Sequence, residues 1–247
     1  MSTTAPRPDK AVLVVGAGDA TGGAIARRFA REGFATCVTR RTADKLAPLV
    51  DRIRAEGGVA HACACDARDE SAVVDLFARI EGDIAPLEVV VFNIGANVRF
   101  PITEMTERVY RKVWEMGALA GFLTGREAAR AMLPRGRGTI LFTGATSSLR
   151  GGAGFAAFAG SKHALRALAQ SMARELGPKG LHVAHVVIDG AIDTAFIAEN
   201  FPERYALKDR AGILDPDAIA ESYWQLHQQP RSAWTHEMDL RPWMEPW

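Results

Sequence analysis

Short apolar runs rich in β-branched residues alternate with longer segments of helical period along most of this chain. Such runs are typical of parallel strands buried on both faces, and the longer segments are typical of the helices that connect them. Six runs precede residue 190: Ala11 to Val15, Ala35 to Thr39, Ala60 to Ala64, Leu87 to Phe92, Gly138 to Thr143 and His182 to Ile188. With a seventh candidate at Ala233 to Leu240, the pattern predicts an α/β fold with a doubly wound sheet of seven parallel strands.

The segments between the strands predict the helices and the domain boundaries. The candidates are Thr21 to Glu32, Ala43 to Glu56, Glu70 to Glu81, Thr106 to Leu133, Phe155 to Leu176 and Pro216 to His227. No linker is long enough to separate two domains, so we predict a single domain over residues 11–247 behind a disordered tail of residues 1–10. In such a sheet, ligands bind at the carboxyl ends of the strands.

Composition excludes several classes of partner. The chain has 247 residues with 30 Lys and Arg against 29 Asp and Glu, which is the wrong charge balance for a nucleic-acid-binding protein. Its three cysteines, Cys37, Cys63 and Cys65, have no paired spacing and no histidine at ligand spacing, which predicts no disulfide, no metal site and a reducing cytoplasm. Because the sequence has no apolar run of about 18 residues, we predict no membrane contact.

A glycine-rich turn joins the first predicted strand to the first predicted helix. It reads Gly16-Ala17-Gly18-Asp19-Ala20-Thr21-Gly22-Gly23. Small residues at such a turn let the backbone approach a pyrophosphate, which the free N–H groups at the helix start can bind. We therefore predict that Gly16, Gly18, Asp19, Ala20, Thr21 and Gly22 bind a dinucleotide; the alternative is a turn with a purely structural role.

Two arginines follow the second predicted strand. An acidic residue at this point would bind the ribose 2′-hydroxyl of NAD, whereas a guanidinium group pairs with the 2′-phosphate of NADP. Arg40 and Arg41 therefore predict NADP(H) in preference to NAD(H), with Arg40 the better candidate because it directly follows the strand. The alternative is a solvated charge pair at the start of a helix.

Further motifs resemble the short-chain dehydrogenase/reductase family over almost the whole chain. They are Cys65-Asp66-Ala67, Phe92-Asn93-Ile94-Gly95, Ser161-Lys162-His163-Ala164-Leu165 and Asp189-Gly190-Ala191-Ile192-Asp193-Thr194, in family order after the glycine turn. The resemblance implies a Rossmann-type fold, with Asp66 at the adenine and Lys162 at the nicotinamide ribose. The full set of implied cofactor residues beyond the turn and the arginines is Asp66, Ala67, Asn93, Gly95, Lys162, Gly190, Ile192 and Thr194.

The catalytic positions depart from the family pattern. The tyrosine that donates the substrate proton is replaced by Phe158, its serine partner by Ala145, and the asparagine of the proton relay by Ala118, whereas Lys162 is retained. The middle glycine of the family's nucleotide turn is also replaced, by Ala20. Loss of a general acid slows a reaction by about 10²- to 10⁴-fold. The usual reduction of an unactivated ketone is therefore not expected.

Several nearby side chains are candidates for the missing group. Ser147 is the first candidate substitute, and Thr143, Thr146 and Ser148 lie on the same loop; the alternative is that these hydroxyls satisfy turn hydrogen bonds. His163, beside Lys162, is more consistent with a packing or interface role. Arg150 is a candidate for binding an acidic substrate group, or else a solvated charge.

Three functions remain open at this point. The first is an NADP(H)-binding oxidoreductase that reduces activated C=N or C=C bonds of a small molecule, which would not need the tyrosine. The second is a catalytically inactive pseudoenzyme that binds the cofactor as a sensor or partner subunit. The third is a non-redox lyase or isomerase on the same fold.

The last expectations concern assembly and the ends of the chain. The family resemblance implies a homodimer or homotetramer through the fourth and fifth predicted helices, Thr106 to Leu133 and Phe155 to Leu176, which are rich in small residues. It also implies a substrate lid at about residues 193–215. The aromatic C-terminal tail, residues 241–247, is expected at an interface or, alternatively, over a substrate pocket.

Overall fold

The computed structural model describes residues 8–246, so most of the predicted N-terminal tail and the last residue lie outside the described residues. Seven strands form one parallel sheet in the order β3-β2-β1-β4-β5-β6-β7. They are β1 Ala11–Val15, β2 Ala35–Arg40, β3 Val59–Ala64, β4 Leu87–Phe92, β5 Gly138–Thr143, β6 Leu181–Ile188 and β7 Glu237–Leu240. The predicted Rossmann-type α/β fold in a single domain is confirmed.

Helices cover both faces of the sheet. They are α1 Thr21–Arg31, α2 Ala47–Ala55, α3 Glu70–Arg79, α4 Glu107–Trp114, α5 Ala120–Met132, α6 Ala156–Leu176, α7 Ala195–Asn200, α8 Pro202–Tyr205 and α9 Pro216–Gln228. One face buries Leu13 and Phe142, and the other buries Phe29 and Tyr223. Each such side chain contributes about 1.5–3 kcal/mol when fully buried. None of the described helices has the length and apolar character that crossing a membrane requires.

Two predicted elements differ from the structure by more than the small shifts in limits seen at other elements. The helix predicted from Thr106 to Leu133 is divided by a widened turn, Glu115–Leu119, in which the Ala120 N–H bonds the carbonyl of Glu115. The last strand begins at Glu237 rather than Ala233, because a turn occupies the preceding residues. In that turn the Thr235 N–H donates to the Gln229 side chain at 2.7 Å.

The small residues of α5 and the widened turn pack within the chain. A Cβ atom at Gly117 would overlap the side chain of Ser161, and one at Gly121 would overlap Leu165, both on α6. We expected these small residues at an interface between subunits. Within the chain, they bring α5 against α6, which is the helix that carries Phe158 and Lys162.

The C-terminal tail lies against the segment predicted as a lid. The Trp243 indole Nε1 donates to the Arg210 carbonyl at 3.0 Å, and the Met244 sulfur lies beside Gly212. Pro242 packs over Gly190, directly after β6. The lid region, predicted at about residues 193–215, contains the short helices α7 and α8. Tail and lid therefore form one surface above the carboxyl ends of the strands.

Candidate active site

A cavity of about 820 Å³, here called the main cavity, opens at the carboxyl ends of β1, β4, β5 and β6. Strand order reverses between β1 and β4, and this is where a doubly wound sheet binds its ligand. The predicted site residues that line it are Gly16, Gly18, Asp19, Ala20, Thr21, Gly22, Asn93, Gly95, Ala145, Ser147, Phe158, Lys162, Gly190 and Ile192. The sequence motifs, which are as far apart as Gly16 and Ile192, thus meet at one edge of the sheet.

The glycine turn has the geometry that a pyrophosphate site needs. Gly16 has a φ of +88°, in the left-handed region that favours glycine. A Cβ atom at Gly22 would lie 2.6 Å from the Gly16 carbonyl oxygen, whereas one at Gly18 would meet nothing within 4 Å. No side chain caps the start of α1, so its first N–H groups are available to an anion. Asn93 secures the turn from β4, because its Nδ2 donates to the Gly16 carbonyl at 3.1 Å.

A second cavity of about 200 Å³ adjoins the turn and carries excess positive charge. Its charged lining residues are Arg40, Arg41, Lys45, Asp66 and Arg68, and Ala67 also lines it. Arg68 donates to both carboxylate oxygens of Asp66, at 2.9 and 2.5 Å, and lowers the pKa of that carboxyl. Arg40 lies 4.0 Å from Asp19. The two cavities together are lined by residues predicted to bind a dinucleotide, and the excess basic groups lie at the end predicted for a 2′-phosphate.

Lys162 is buried at the floor of the main cavity. Its Nζ donates to the Thr143 carbonyl at 2.8 Å and to the Ile94 carbonyl at 3.2 Å. Burial lowers the pKa of Lys162 to about 8, because the charged form loses its hydration. Phe158, one helical turn earlier on α6, places its ring centroid 5.8 Å from Nζ.

The positions of the missing catalytic groups are apolar in the structure. Phe158 and Ala145 line the main cavity and offer no acidic hydrogen there. Ala118 is buried within the widened turn and does not line the cavity. Three of the four side chains of the family's catalytic pattern are therefore replaced, and Lys162 is retained.

Hydroxyl groups on the loop after β5 differ in their availability. The Thr146 hydroxyl donates to the buried carboxylate of Asp189, so its hydrogen is already committed. Ser148 is fully buried, and its Oγ accepts the Ala145 N–H at 3.1 Å. Ser147 lines the cavity and makes no side-chain hydrogen bond within residues 8–246. Among the hydroxyls considered from the sequence, Ser147 is thus the one most available to a ligand.

Two other candidates have structural partners or lie elsewhere. His163 is exposed on α6, with its Nδ1 2.9 Å from the Ala159 carbonyl, and it does not line the main cavity. Thr194 does not line it either, because its hydroxyl accepts the Ile197 N–H at the start of α7. Arg150 does line the cavity, and its guanidinium lies 3.7 Å from Asp189.

The lid and the tail supply cavity residues that sequence reasoning did not single out. Ile197, Phe201 and Arg204 come from the lid, and Glu245 comes from the C-terminal tail. The Glu245 carboxylate lies 3.7 Å from the Arg204 guanidinium. A Cβ atom at Gly190 would lie 3.5 Å from the same carboxylate. The one signal for these residues in the sequence is the apolar C-terminal tail, for which a position over a substrate pocket is one of the two expectations.

Comparisons with known proteins agree with this geometry. The sequence profile of the short chain dehydrogenase family matches residues 10–204. Gluconate 5-dehydrogenase of Gluconobacter oxydans (strain 621H) is 32% identical over 171 residues, 69% of this chain and 67% of that protein. A crystal structure of a short-chain dehydrogenase from Rhodopseudomonas palustris is 53% identical, with a TM-score of 0.82 over 96% of this chain and 100% of that one.

A metagenomic short-chain oxidoreductase, solved in complex with NADP, is 27% identical with a TM-score of 0.80, over 96% of this chain and 97% of that one. The profile match extends from the glycine turn through the strands that bound the main cavity. The chain therefore belongs to the short-chain dehydrogenase family.

Proposed function

We propose that this protein is an NADP(H)-dependent oxidoreductase that reduces activated C=N or C=C bonds without a tyrosine proton donor. The observation that carries the proposal is a single cavity that joins a complete nucleotide cradle to Lys162 and Phe158. The glycine turn and the start of α1 support cofactor binding. Phe158, which has no acidic hydrogen, argues against unactivated ketones as substrates. When bound, the nicotinamide supplies a hydride.

The cofactor assignment rests on the two cavities. The turn residues and the N-terminus of α1 would hold the pyrophosphate, and Arg40 and Arg41 would hold the 2′-phosphate. Asp66 and Ala67 would border the adenine, and Asn93 and Gly95 the middle of the cofactor. Gly190 and Ile192 would border the carboxamide. The NADP found in a 27% identical relative supports this preference over NAD.

Substrate choice follows from the missing acid. Removing a general acid and an oxyanion donor each costs about 3–5 kcal/mol of transition-state stabilisation, although losses within one catalytic unit are not additive. An iminium ion already carries the positive charge that protonation would supply, and a polarised C=C bond places its negative charge on a delocalised system. Residues 193–215 would act as the lid over the substrate, with Phe155, Ile197 and Phe201 as apolar walls.

The test is an NADPH oxidation assay with purified protein against matched panels of cyclic iminium ions, enones and simple ketones. We expect turnover of the first two classes and little of the third. The Phe158→Tyr variant is the matched comparison, because it restores an acidic hydroxyl and should improve ketones more than iminium ions. Ketone turnover by the wild type equal to that of the activated substrates would contradict the proposal.

A cofactor-binding pseudoenzyme is the second candidate, favoured by the joint replacement at Phe158, Ala145 and Ala118. It predicts tight NADPH binding with no turnover of any panel. Cofactor titration by nicotinamide fluorescence therefore accompanies the assay.

A further inference from the structure

The main cavity offers few groups that can release a proton. Among its described lining residues there is no tyrosine, histidine or cysteine. The ionisable lining residues are Asp19, Arg150, Lys162, Arg204 and Glu245. Building on the proposed function, we propose that the ammonium group of Lys162 is the proton donor of the reduction, in the role that a tyrosine has elsewhere in the family.

The position of Nζ supports this role. Two of its three N–H groups are directed to the carbonyls of Thr143 and Ile94, at 2.8 and 3.2 Å, and these two residues also line the cavity. The third N–H is left for a group inside the cavity. Phe158 carries no hydroxyl that could stand between Nζ and a substrate, so the ammonium group is the polar end of that wall.

The other ionisable groups are less suited to the task. Asp19 has a side chain that is 95% exposed at the nucleotide turn. Arg150 and Arg204 carry guanidinium groups, which remain protonated in proteins. The Glu245 carboxylate forms a salt bridge with the Arg204 guanidinium at 3.7 Å, on the lid side of the cavity. Glu245 is nevertheless the competing acid that a test has to separate from Lys162.

The surroundings of Lys162 suit a proton donor. Burial brings its pKa to about 8, close to the working range of a general acid. The nearest titratable group on the packed strands is His185 of β6, which is neutral because burial lowers its pKa to about 4. Arg166 of α6 forms a salt bridge with Glu237 of β7 at 2.6 Å. The loop from Asn93 to Asn97, which also packs here, has no charged residue. Asp189, at the end of β6, pairs with arginines.

The step balances with the reduced nicotinamide dinucleotide as the hydride donor. The hydride forms a C–H bond at the electrophilic carbon, and the π-bond pair moves to the far atom of the double bond. For an enone, that anion takes a proton from Nζ, leaving Lys162 neutral and the dinucleotide oxidised. Water entering the open cavity then returns a proton to Lys162. An iminium ion becomes a neutral amine on hydride addition, so it needs no proton in this step.

The first experiment compares enone and iminium reduction between pH 6 and pH 10 at saturating NADPH, about two units either side of the Lys162 pKa. Enone kcat should fall as pH rises through about 8, and iminium kcat should lack this fall. Lys162→Arg keeps the charge but stays protonated throughout. This variant should lower enone kcat by about 10²- to 10⁴-fold and should not show the decrease of enone kcat with rising pH. Glu245→Gln and the matched control Lys179→Arg should still show that decrease.

The second experiment measures the titration of the Lys162 side chain in the absence of turnover. NMR of ¹³C-labelled lysine side chains resolves six lysines, and one should titrate near 8 in the wild type and be absent from Lys162→Arg. NADPH affinity and melting temperature confirm that the variant folds. A Lys162 titration at the ordinary lysine pKa, or an enone pH profile that Lys162→Arg leaves unchanged, overturns the inference alone. NADPH binding without turnover of any probe overturns the proposed function, and the inference with it.

Discussion

At the scale of single residues, Arg40 is the side chain on which cofactor choice depends most. Arg40 is the last residue of β2 and lines the second cavity, and its side chain is 34% exposed, so it can pair with a phosphate at moderate cost in hydration. A charge-assisted hydrogen bond contributes about 1.5–3 kcal/mol. Arg40→Ala should therefore weaken NADPH binding by about 10- to 100-fold and leave NADH binding nearly unchanged.

Dissociation constants of both cofactors, measured by fluorescence titration, check this expectation. Arg174→Ala is the control, because that arginine is exposed on α6 and bonds only its own helix at Gln170. Tighter binding of NADH than of NADPH by the wild type would contradict the assignment made from Arg40 and Arg41.

The nucleotide half of the site could be predicted from the sequence because its residues follow strands at fixed offsets. The glycine turn, Asn93 and Lys162 all belong to local motifs of this kind. Glu245 and Arg204 could not be predicted, because they reach the cavity only where two distant segments meet. Nor could the partners of Asp189, which depend on the path of the loop after β5.

Asp189 connects three segments through one buried carboxylate. Only 1% of it is exposed; it accepts from Thr146, and its Oδ2 lies 3.2 Å from Arg241 and 3.7 Å from Arg150. Asp189→Asn removes the charge but keeps the shape, and we expect the free energy of unfolding to fall by about 1–3 kcal/mol. Urea denaturation measures this, with the exposed Asp209→Asn as control. Equal stability of the two variants would show that the carboxylate charge is not needed.

At the scale of elements, the contact between α5 and α6 fixes the catalytic face of α6. A Cβ atom at Gly121 would overlap Leu165, one turn beyond Lys162. Overpacking of this kind costs about 1–3 kcal/mol, so Gly121→Ala should destabilise the protein and, by displacing α6, weaken NADPH binding. Gly82→Ala is the matched control, because a Cβ atom there meets nothing within 4 Å. Thermal unfolding and cofactor titration are the measurements, and equal effects of the two variants would contradict this account.

The sequence pattern of buried residues was enough to predict which segments are strands and which are helices, but not where each element begins and ends. β1 and β4 have nearly every residue buried, so their apolar runs mark them clearly in the sequence. The widened turn at Glu115–Leu119 left no such mark, because the helical period of the sequence continues through it. The start of β7 was misplaced because a hydrogen-bonded turn at Gln229 competes with the strand there.

At the scale of the whole molecule, exposed aromatic rings on α4 and α5 support the expected homodimer or homotetramer. Tyr110, Trp114 and Phe122 are 45%, 44% and 41% exposed. Because the small residues of these helices pack internally, the rings are the groups available to a second subunit. Trp114→Glu should shift the mass measured by light scattering toward the monomer. Trp243→Glu is the comparison, because it changes an exposed ring in the tail, away from α4, and should leave an α4 interface intact. An unchanged mass for Trp114→Glu would exclude α4 from the interface.

The stability of the whole molecule should depend on pH through its buried histidines. Burial lowers the pKa of His185 and of His227 to about 4 and also lowers the pKa of His182, so the fold favours the neutral form of all three. The unfolded chain protonates them near the ordinary value of about 6.5. Between those values the unfolded state binds more protons, so stability is full above about pH 6.5 and falls by up to about 1.4 kcal/mol per pH unit for each histidine as the pH decreases.

Urea unfolding between about pH 5 and pH 8 isolates this effect, because the carboxyl groups titrate mostly below that window. The control is His163→Gln, since His163 is exposed, and it should leave the slope unchanged. His227→Gln replaces an imidazole whose Nδ1 lies 2.9 Å from the Thr139 hydroxyl, and its amide can keep a hydrogen bond there. This variant should reduce the slope, because one of the three histidines whose pKa is lowered by burial is removed. A wild-type stability that is constant from pH 8 to pH 5 would mean that none of these imidazoles is held neutral by the fold.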